Sequence, residues 1–455
     1  MKRIFCILLI VISNYGSTAV NLYWIGGKGK WNDGNHWSLS SGGIPYNNVP
    51  SSIDDVFFDS NSFNAAGDSV LMDPVVINSC RNMTWQQVGF YPVLAIECDI
   101  YGSLTLSPFI SLAIDPLSLQ SSVSFSFCSD SSANEIRTFG QKVHNVNFIG
   151  NGEWTLMDSL TCDTINYTHG HFNTNSQKVN VFFFSAKSNL SSDTLSFGSS
   201  IIDVYGQFYT TASQINFVFD AGTSLVRMLA NTSYFRSSGK TFYDVEFLGN
   251  KGNVMHSTRF HNLSFAVDGA IYKKQYVHDL FLTNGGKYEF MTNTDTMWIT
   301  GTLHAVGTSS NIIQMKGHNS VICIDTGTVC MDYLDLEDIH TCGNADFYAG
   351  ANSISNGNTN GWIFQSCPTV GINELNANTC CNISTSITKD HFVVDLKNSK
   401  ADELFLYDVT GNLLKKQLIN SEVVSVDVTS LTDGLYIVMI SEKGRVIYLG
   451  KAIKG

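Results

Sequence analysis

Between Asn21 and Phe364 apolar pairs return at a near-constant interval, and that interval restricts the fold more than any other feature. Val245 and Phe247 are followed 18 residues later by Leu263 and Phe265, then 17 further on by Leu280 and Leu282, and another 18 on by Trp298. The pairs sit in short alternating runs such as VNVFFFSA, INFVFDAG and NLSFAVDGA, broken by Gly, Asn, Asp and Ser. Branched and aromatic side chains at period two suit a half-buried pleated strand. A two-residue hairpin would bring the next strand sooner, and a helical crossover would carry a 3.6-residue period, which is missing. The spacing therefore predicts an all-β chain wound as a parallel β-solenoid, right-handed β-helix-like, with one coil stacked on the last at roughly 4.8 Å. The competing all-β reading is a pair of antiparallel sandwiches.

A longer echo accompanies the short one. GQKVHNVNFIGN from Gly140 resembles GKTFYDVEFLGN from Gly239, so that Val146 and Phe148 map onto Val245 and Phe247, and Gly170 onto Gly269, all 99 residues on. This reads as duplication of a block of coils. Cys80 and Cys98 lie one coil apart, and Cys128 and Cys162 two coils apart, as either disulfides across neighbouring coils or a ladder of buried thiols would require.

The 455 residues include 27 Lys and Arg against 39 Asp and Glu, a formal charge of −12. No basic run could neutralise a phosphate backbone, so nucleic acid is not an expected partner. Lys2 and Arg3, the apolar Ile4 to Ile12 and the small residues Ser17, Thr18 and Ala19 read as a signal peptide over 1–19. Its apolar stretch is too short to span a bilayer, and the mature chain is expected to carry no transmembrane segment. Ten cysteines remain after the signal is lost, an even number compatible with an oxidising compartment.

The domain plan that follows is a repeat body over 20–364, a polar linker over 365–389 and a small β-sandwich over 390–455. Within the linker Cys367 has Cys380 and Cys381 as candidate partners, or those two could bond each other. In the last part Gly411-Asn412, Thr432-Asp433-Gly434 and Glu442-Lys443-Gly444 mark turns between alternating runs.

Three segments carry resemblances. Tyr23 to Phe63, with Trp24, Trp31, Trp37 and the run Asp54 to Asp59, is similar to the opening of large secreted Bacteroidetes repeat proteins. Val329 to Phe364, with Asp332-Tyr333-Leu334 and Gly361-Trp362, is similar to their closing coil. The C-terminal part resembles the type A sorting domain of the type IX secretion system through Tyr407, Asp408, Gly411, Asp427, Gly434, Tyr436 and Lys451. It departs from that family at its entry, which reads NANTCCNISTS. The resemblance implies the type IX machinery as a partner, and export across the outer membrane to the cell surface or the medium.

For Trp24, Trp31 and Trp37 two readings stand: a cap over the open end of the core, or a platform on which sugars stack. No catalytic set is expected. Asn293-Thr294-Asp295 is similar to one polygalacturonase motif, but Gly317-His318-Asn319 lacks the glycine that should follow its histidine. Asp332, Asp335, Glu337 and Asp338 read as a solvated acidic edge, with Asp332 and Asp338 sharing the strand face of Leu334 and Leu336. The histidines at 144, 169 and 171, and those at 318 and 340 with Cys323, Cys330 and Cys342, lack metal-site spacing, so no metal or cofactor is expected. The expected role is an exported structural or adhesion-type protein meeting surface polysaccharide or another cell. The alternative is a carbohydrate-active β-helix enzyme, a lyase or hydrolase.

Overall fold

The computed structural model describes residues 18–368 apart from 74, 114–122, 189, 211–216, 238 and 293–294, and residues 382–454 apart from 389–390, 397–400 and 444. The expected signal peptide lies outside the described residues except for its last two positions. The chain divides after Cys367 into two units.

The first unit is a parallel β-solenoid of about 13 turns. Its buried rows show why these residues wind rather than fold back. Val143, Cys162, Val181, Val204, Met228, Phe247 and Phe265 are successive register partners, all buried, with steps of 19, 19, 23, 24, 19 and 18 residues. A second row runs from Val146 through Ile165, Phe184, Phe208 and Phe235 to Val254. Along it the rings of Phe184, Phe208 and Phe235 stack at 4.9 Å between neighbours. Each inward side chain thus has its like directly above and below, an arrangement that a hairpin-linked sheet does not give.

A typical coil has a long strand, a tight corner and a short strand. Lys142–Phe148, Glu153–Leu156 and the next long strand Leu160–Tyr167 follow this plan. One face is a ten-stranded sheet from Asn21–Trp24 to Val218–Asp220, parallel except where Trp37–Ser38 turns back against the first strand. At Ile201–Thr210 the path is redistributed. The first half of that strand pairs onward with Leu225–Met228 and the second half with Tyr234–Arg236.

This redistribution changes the meaning of the 99-residue echo. Lys142–Phe148 and Thr241–Phe247 share one burial pattern. Even so, the row of Val146 leads to Val254 and not to Val245. The 23- and 24-residue coils advance the chain until the same strand motif starts on a neighbouring face, where Phe242 packs 4.7 Å from Phe219 of the ten-stranded sheet. The spacing at Trp298 also needs correction. Leu280 pairs with Leu303, whereas Trp298 pairs with Tyr276 and stands half-buried outside the core.

The cysteines divide between both chemistries. Cys80 and Cys98 are buried free thiols, and burial pushes Cys98 well above its ordinary value. Cys128 and Cys162 are also free, and Cys162 faces Val143 and Val181 rather than stacking on Cys128. Cys323 and Cys342 are register partners joined by a disulfide. Cys367 bonds Cys330, which ties the end of the unit to its last coils; Cys380 and Cys381 lie outside the described residues.

The second unit packs two antiparallel sheets. Asn382–Thr388, His391–Asp395 and Val423–Asp427 form one; Leu413–Leu418, Glu403–Tyr407, Gly434–Glu442 and Arg445–Lys454 form the other. Phe392, Val394, Leu404, Leu406, Val426 and Val438 fill the space between them. The first strand begins at Asn382, inside the segment expected to be linker, because Ile383 and Ser384 pair with Val394 and Val393.

Candidate functional site

The three tryptophans of the opening segment are the first candidates, and they face inward. Trp24, Trp31 and Trp37 are at most 1 % exposed. Trp37 meets Trp24 and Trp31 edge-on at 5.1 and 4.9 Å, while Phe58 lies flat on Trp85. The indole N–H groups of Trp24 and Trp37 donate to the carbonyls of Gly27 and Trp31. Their ring faces are used up within the core and leave none in solvent for a sugar to stack on; large rings fill the interior of the first coil.

The polar candidates are tied to neighbours. Asp332 accepts from Asn352 through backbone and side chain, Asp335 from Asn356 and Asp338 from Asn358, while Lys316 pairs with Glu337 at 2.8 Å. Asp338 does not share the face of Leu334 and Leu336. Its φ of +53° breaks the alternation and turns it outward, beside Glu337. Asp295 is buried and accepts from the N–H groups of Lys273 and Thr292; Asn293 and Thr294 lie outside the described residues. His144 lies 3.0 Å from Asp163 and His169 3.4 Å from Asp193, so these histidines serve different carboxylates. Cys323, Cys330 and Cys342 are in disulfides. Among the described residues no group of three or more His, Cys, Asp or Glu is placed to hold a metal ion, and no helix is long and apolar enough to cross a membrane.

A feature that the alternating pattern concealed is an outer corner ladder. In the long strands two consecutive residues face outward before the inward alternation resumes, as at His144-Asn145, Tyr243-Asp244 and His261-Asn262. The first of each pair falls out of the strand register: Val143 pairs with Cys162 and Asn145 with Thr164, leaving His144 and Asp163 at a bend. The signal was present as VHNVNF, CDTINY, FYDVEF and FHNLSF, an apolar residue followed by two others before the next apolar one. On the later coils the corner carries Tyr243, His261 and His278, their rings parallel within 5° at 4.4 and 5.1 Å.

On the earlier coils the corner carries His144, Asp163, Phe182 and Tyr205. The register slips between Val181 and Phe183, so that Tyr205 and Gly206 together oppose Phe182. A side-chain carbon on Gly206 would lie 2.6 Å from the Phe182 carbonyl oxygen, which is why glycine stands there. The bulge turns both rings out; Phe182 is 56 % and Tyr205 50 % exposed. They border a cleft of about 690 Å³ shared with Lys142, Thr161, Asp163 and Asn180. Lys142 Nζ reaches Asp163 at 2.6 Å, and Asn180 donates to Thr161 at 3.1 Å.

A second depression, of about 420 Å³, has Asp73, Glu97 and Asp99 on its walls. Burial raises the Asp99 carboxyl above the usual range, partly countered by a hydrogen bond from Ser126. Asp73 is occupied by the Val75 N–H and by Lys30.

In the second unit the sequence candidates build turns. Asp408 accepts from the N–H and hydroxyl of Thr410 and from the N–H and amide of Asn412. Gly411 follows with φ +87°, a conformation open to glycine. Asp427 repeats the motif with Thr429. Tyr436 is buried with its hydroxyl on the Thr432 carbonyl, Tyr407 ends the strand Glu403–Tyr407, Gly434 opens the strand that Tyr436 belongs to, and Lys451 pairs with Ile437 on the last strand.

The Thr410 and Asn412 hydrogen bonds hold the Asp408 carboxyl down at about 2, against 3.8 ordinarily. A depressed carboxyl stabilises the fold above its unfolded value and ceases to do so as pH falls through its folded value. The module is thus expected to lose stability between about pH 4 and about pH 2. Thr410→Val should move the Asp408 midpoint upward in a carboxyl-carbon NMR titration; an unmoved midpoint would remove the turn as the cause.

Residues 388–454 match the family described as the secretion system C-terminal sorting domain. No curated protein and no solved structure matches the chain. A tail of this kind carries the protein through the type IX system, across the outer membrane, to the cell surface or the extracellular space.

Proposed function

We propose that the solenoid is an exported scaffold with a structural or adhesion-type role, holding its outer faces toward a polymer or another cell. The supporting observation is the unbroken outward row that runs from Lys142 through Thr161, Asn180, Arg227 and Ser264 to His304, one side chain per coil. Polar side chains along it bond to their neighbours in the stack: Arg227 grips Asp203 through two hydrogen bonds, and Lys178 reaches the same carboxylate at 3.1 Å. Such pairing keeps a long face regular and rigid, as an extended contact surface requires.

A second reading, a polysaccharide hydrolase, is favoured by Glu97 and Asp99. They project from one strand into one depression, and a carboxyl raised by burial could donate a proton while its neighbour activates water. One experiment separates the two. Incubated with a panel of plant and microbial polysaccharides, the mature protein should retain polymer without generating reducing ends. New reducing ends that vanish in Glu97→Gln would replace the scaffold reading with the enzymatic one.

A further inference from the structure

We propose that the corner cleft between Phe182 and Tyr205 binds a neutral polysaccharide chain laid along the solenoid axis. This rests on the display reading and names the ligand class that one part of the displayed face would take.

Three features converge. Two aromatic rings are held half out of the surface by a bulge that depends on Gly206. Exposed aromatic area costs free energy unless something covers it, and the C–H faces of pyranose rings do so while leaving their hydroxyls at the edge. The adjoining row supplies the partners for those hydroxyls. Thr161 and Asp163 stand on one coil, with Lys142 on the coil before and Asn180 on the coil after. Coil repeats of about 4.8 Å place one donor or acceptor per turn, close to the repeat of an extended sugar chain.

Charge selects among glycans. Asp163 is engaged by Lys142 and lies beside His144, and Asp203 is engaged by Lys178 and Arg227. Glu246 is the next side chain in register beyond Arg227, so the three cations Lys142, Lys178 and Arg227 face the three carboxylates Asp163, Asp203 and Glu246. An anionic polymer would find no spare positive charge, and a neutral one need not break an ion pair. Size argues against a protein partner. A stable protein interface takes about 800 Å² from each side, whereas two rings and a cleft of about 690 Å³ suit a short stretch of a linear ligand.

The test uses the full mature chain in affinity electrophoresis through gels containing hydroxyethyl cellulose, xylan or galactomannan, with hyaluronan as the anionic comparison. Retardation is expected in at least one neutral gel and not in hyaluronan. Phe182→Ala and Tyr205→Ala should each weaken it at least tenfold and the double variant abolish it; both side chains are exposed, so the fold should survive. Phe109→Ala, an exposed aromatic outside this row, should leave it unchanged. Equal retardation of the double variant would overturn this site but leave the display reading standing. No retardation in any neutral gel would overturn the ligand class. Cell binding that survives periodate treatment of the target cells and is lost after protease treatment would replace the glycan by a protein partner.

Discussion

Val245→Asp is expected to lower the melting temperature of the solenoid by roughly 10 °C or more. Val245 is 1 % exposed and stacks between Val226 and Leu263. An aspartate there must be neutralised. At pH 7 that costs about 4 kcal/mol, some three units above its ordinary value at 1.36 kcal/mol each. Lost burial of the valine adds about 1.5 kcal/mol or more. Against a stability of about 5–15 kcal/mol for an ordinary domain this is a large fraction. Each coil touches only its neighbours, so melting should begin around this coil, and the transition should broaden as well as shift downward. At pH 4, close to the ordinary value, the unfolded aspartate is already about half protonated, so neutralising it costs only about half a kcal/mol and much of the loss should be recovered. Glu246→Gln, one residue on and facing outward, is the control. All seven tryptophans precede the second unit, so their fluorescence reports the solenoid. An unchanged melting curve for Val245→Asp would mean that its side chain is not in the core.

Removal of residues 368–455 should abolish appearance of the protein outside the cell and leave a folded solenoid behind the outer membrane. The cut after Cys367 preserves its bond to Cys330 and removes the second unit whole. A cut at Asp390, where sequence alone places the boundary, would leave Asn382–Thr388 without the strand it pairs with. Cell fractionation with tryptophan fluorescence on the retained material decides the matter. Continued export of the truncated chain would refute the sorting role of the second unit, while loss of export with an unfolded solenoid would point to a folding defect instead.

The corner residues show where sequence reading reached its limit. Strict alternation makes VHNVNF look like one straight strand, with no reason to place His144 at a corner. The bend becomes visible only once neighbouring strands are aligned and His144 and Asp163 drop out of the register. In VNVFFFSA nothing distinguishes Phe182 from its apolar neighbours, and its exposure follows from a slip against Tyr205-Gly206 that lies 23 residues away. In the opposite direction, Trp24, Trp31 and Trp37 offered attractive ring faces in the sequence, yet they pack against one another inside the first coil.

What the chain's own order of residues settled was local: alternating apolar runs at coil-length spacing, turn motifs such as Asp408 to Gly411, and the tail's family signature. These depend on interactions within a few residues, or on a repeat that any stacking must respect. Which cysteines bond, where the rows change face at Ile201–Thr210, and which aromatics stand in solvent were decided only in three dimensions. Each depends on how many residues a coil spends at its corners, and a difference of a few residues moves a side chain from one face to the next.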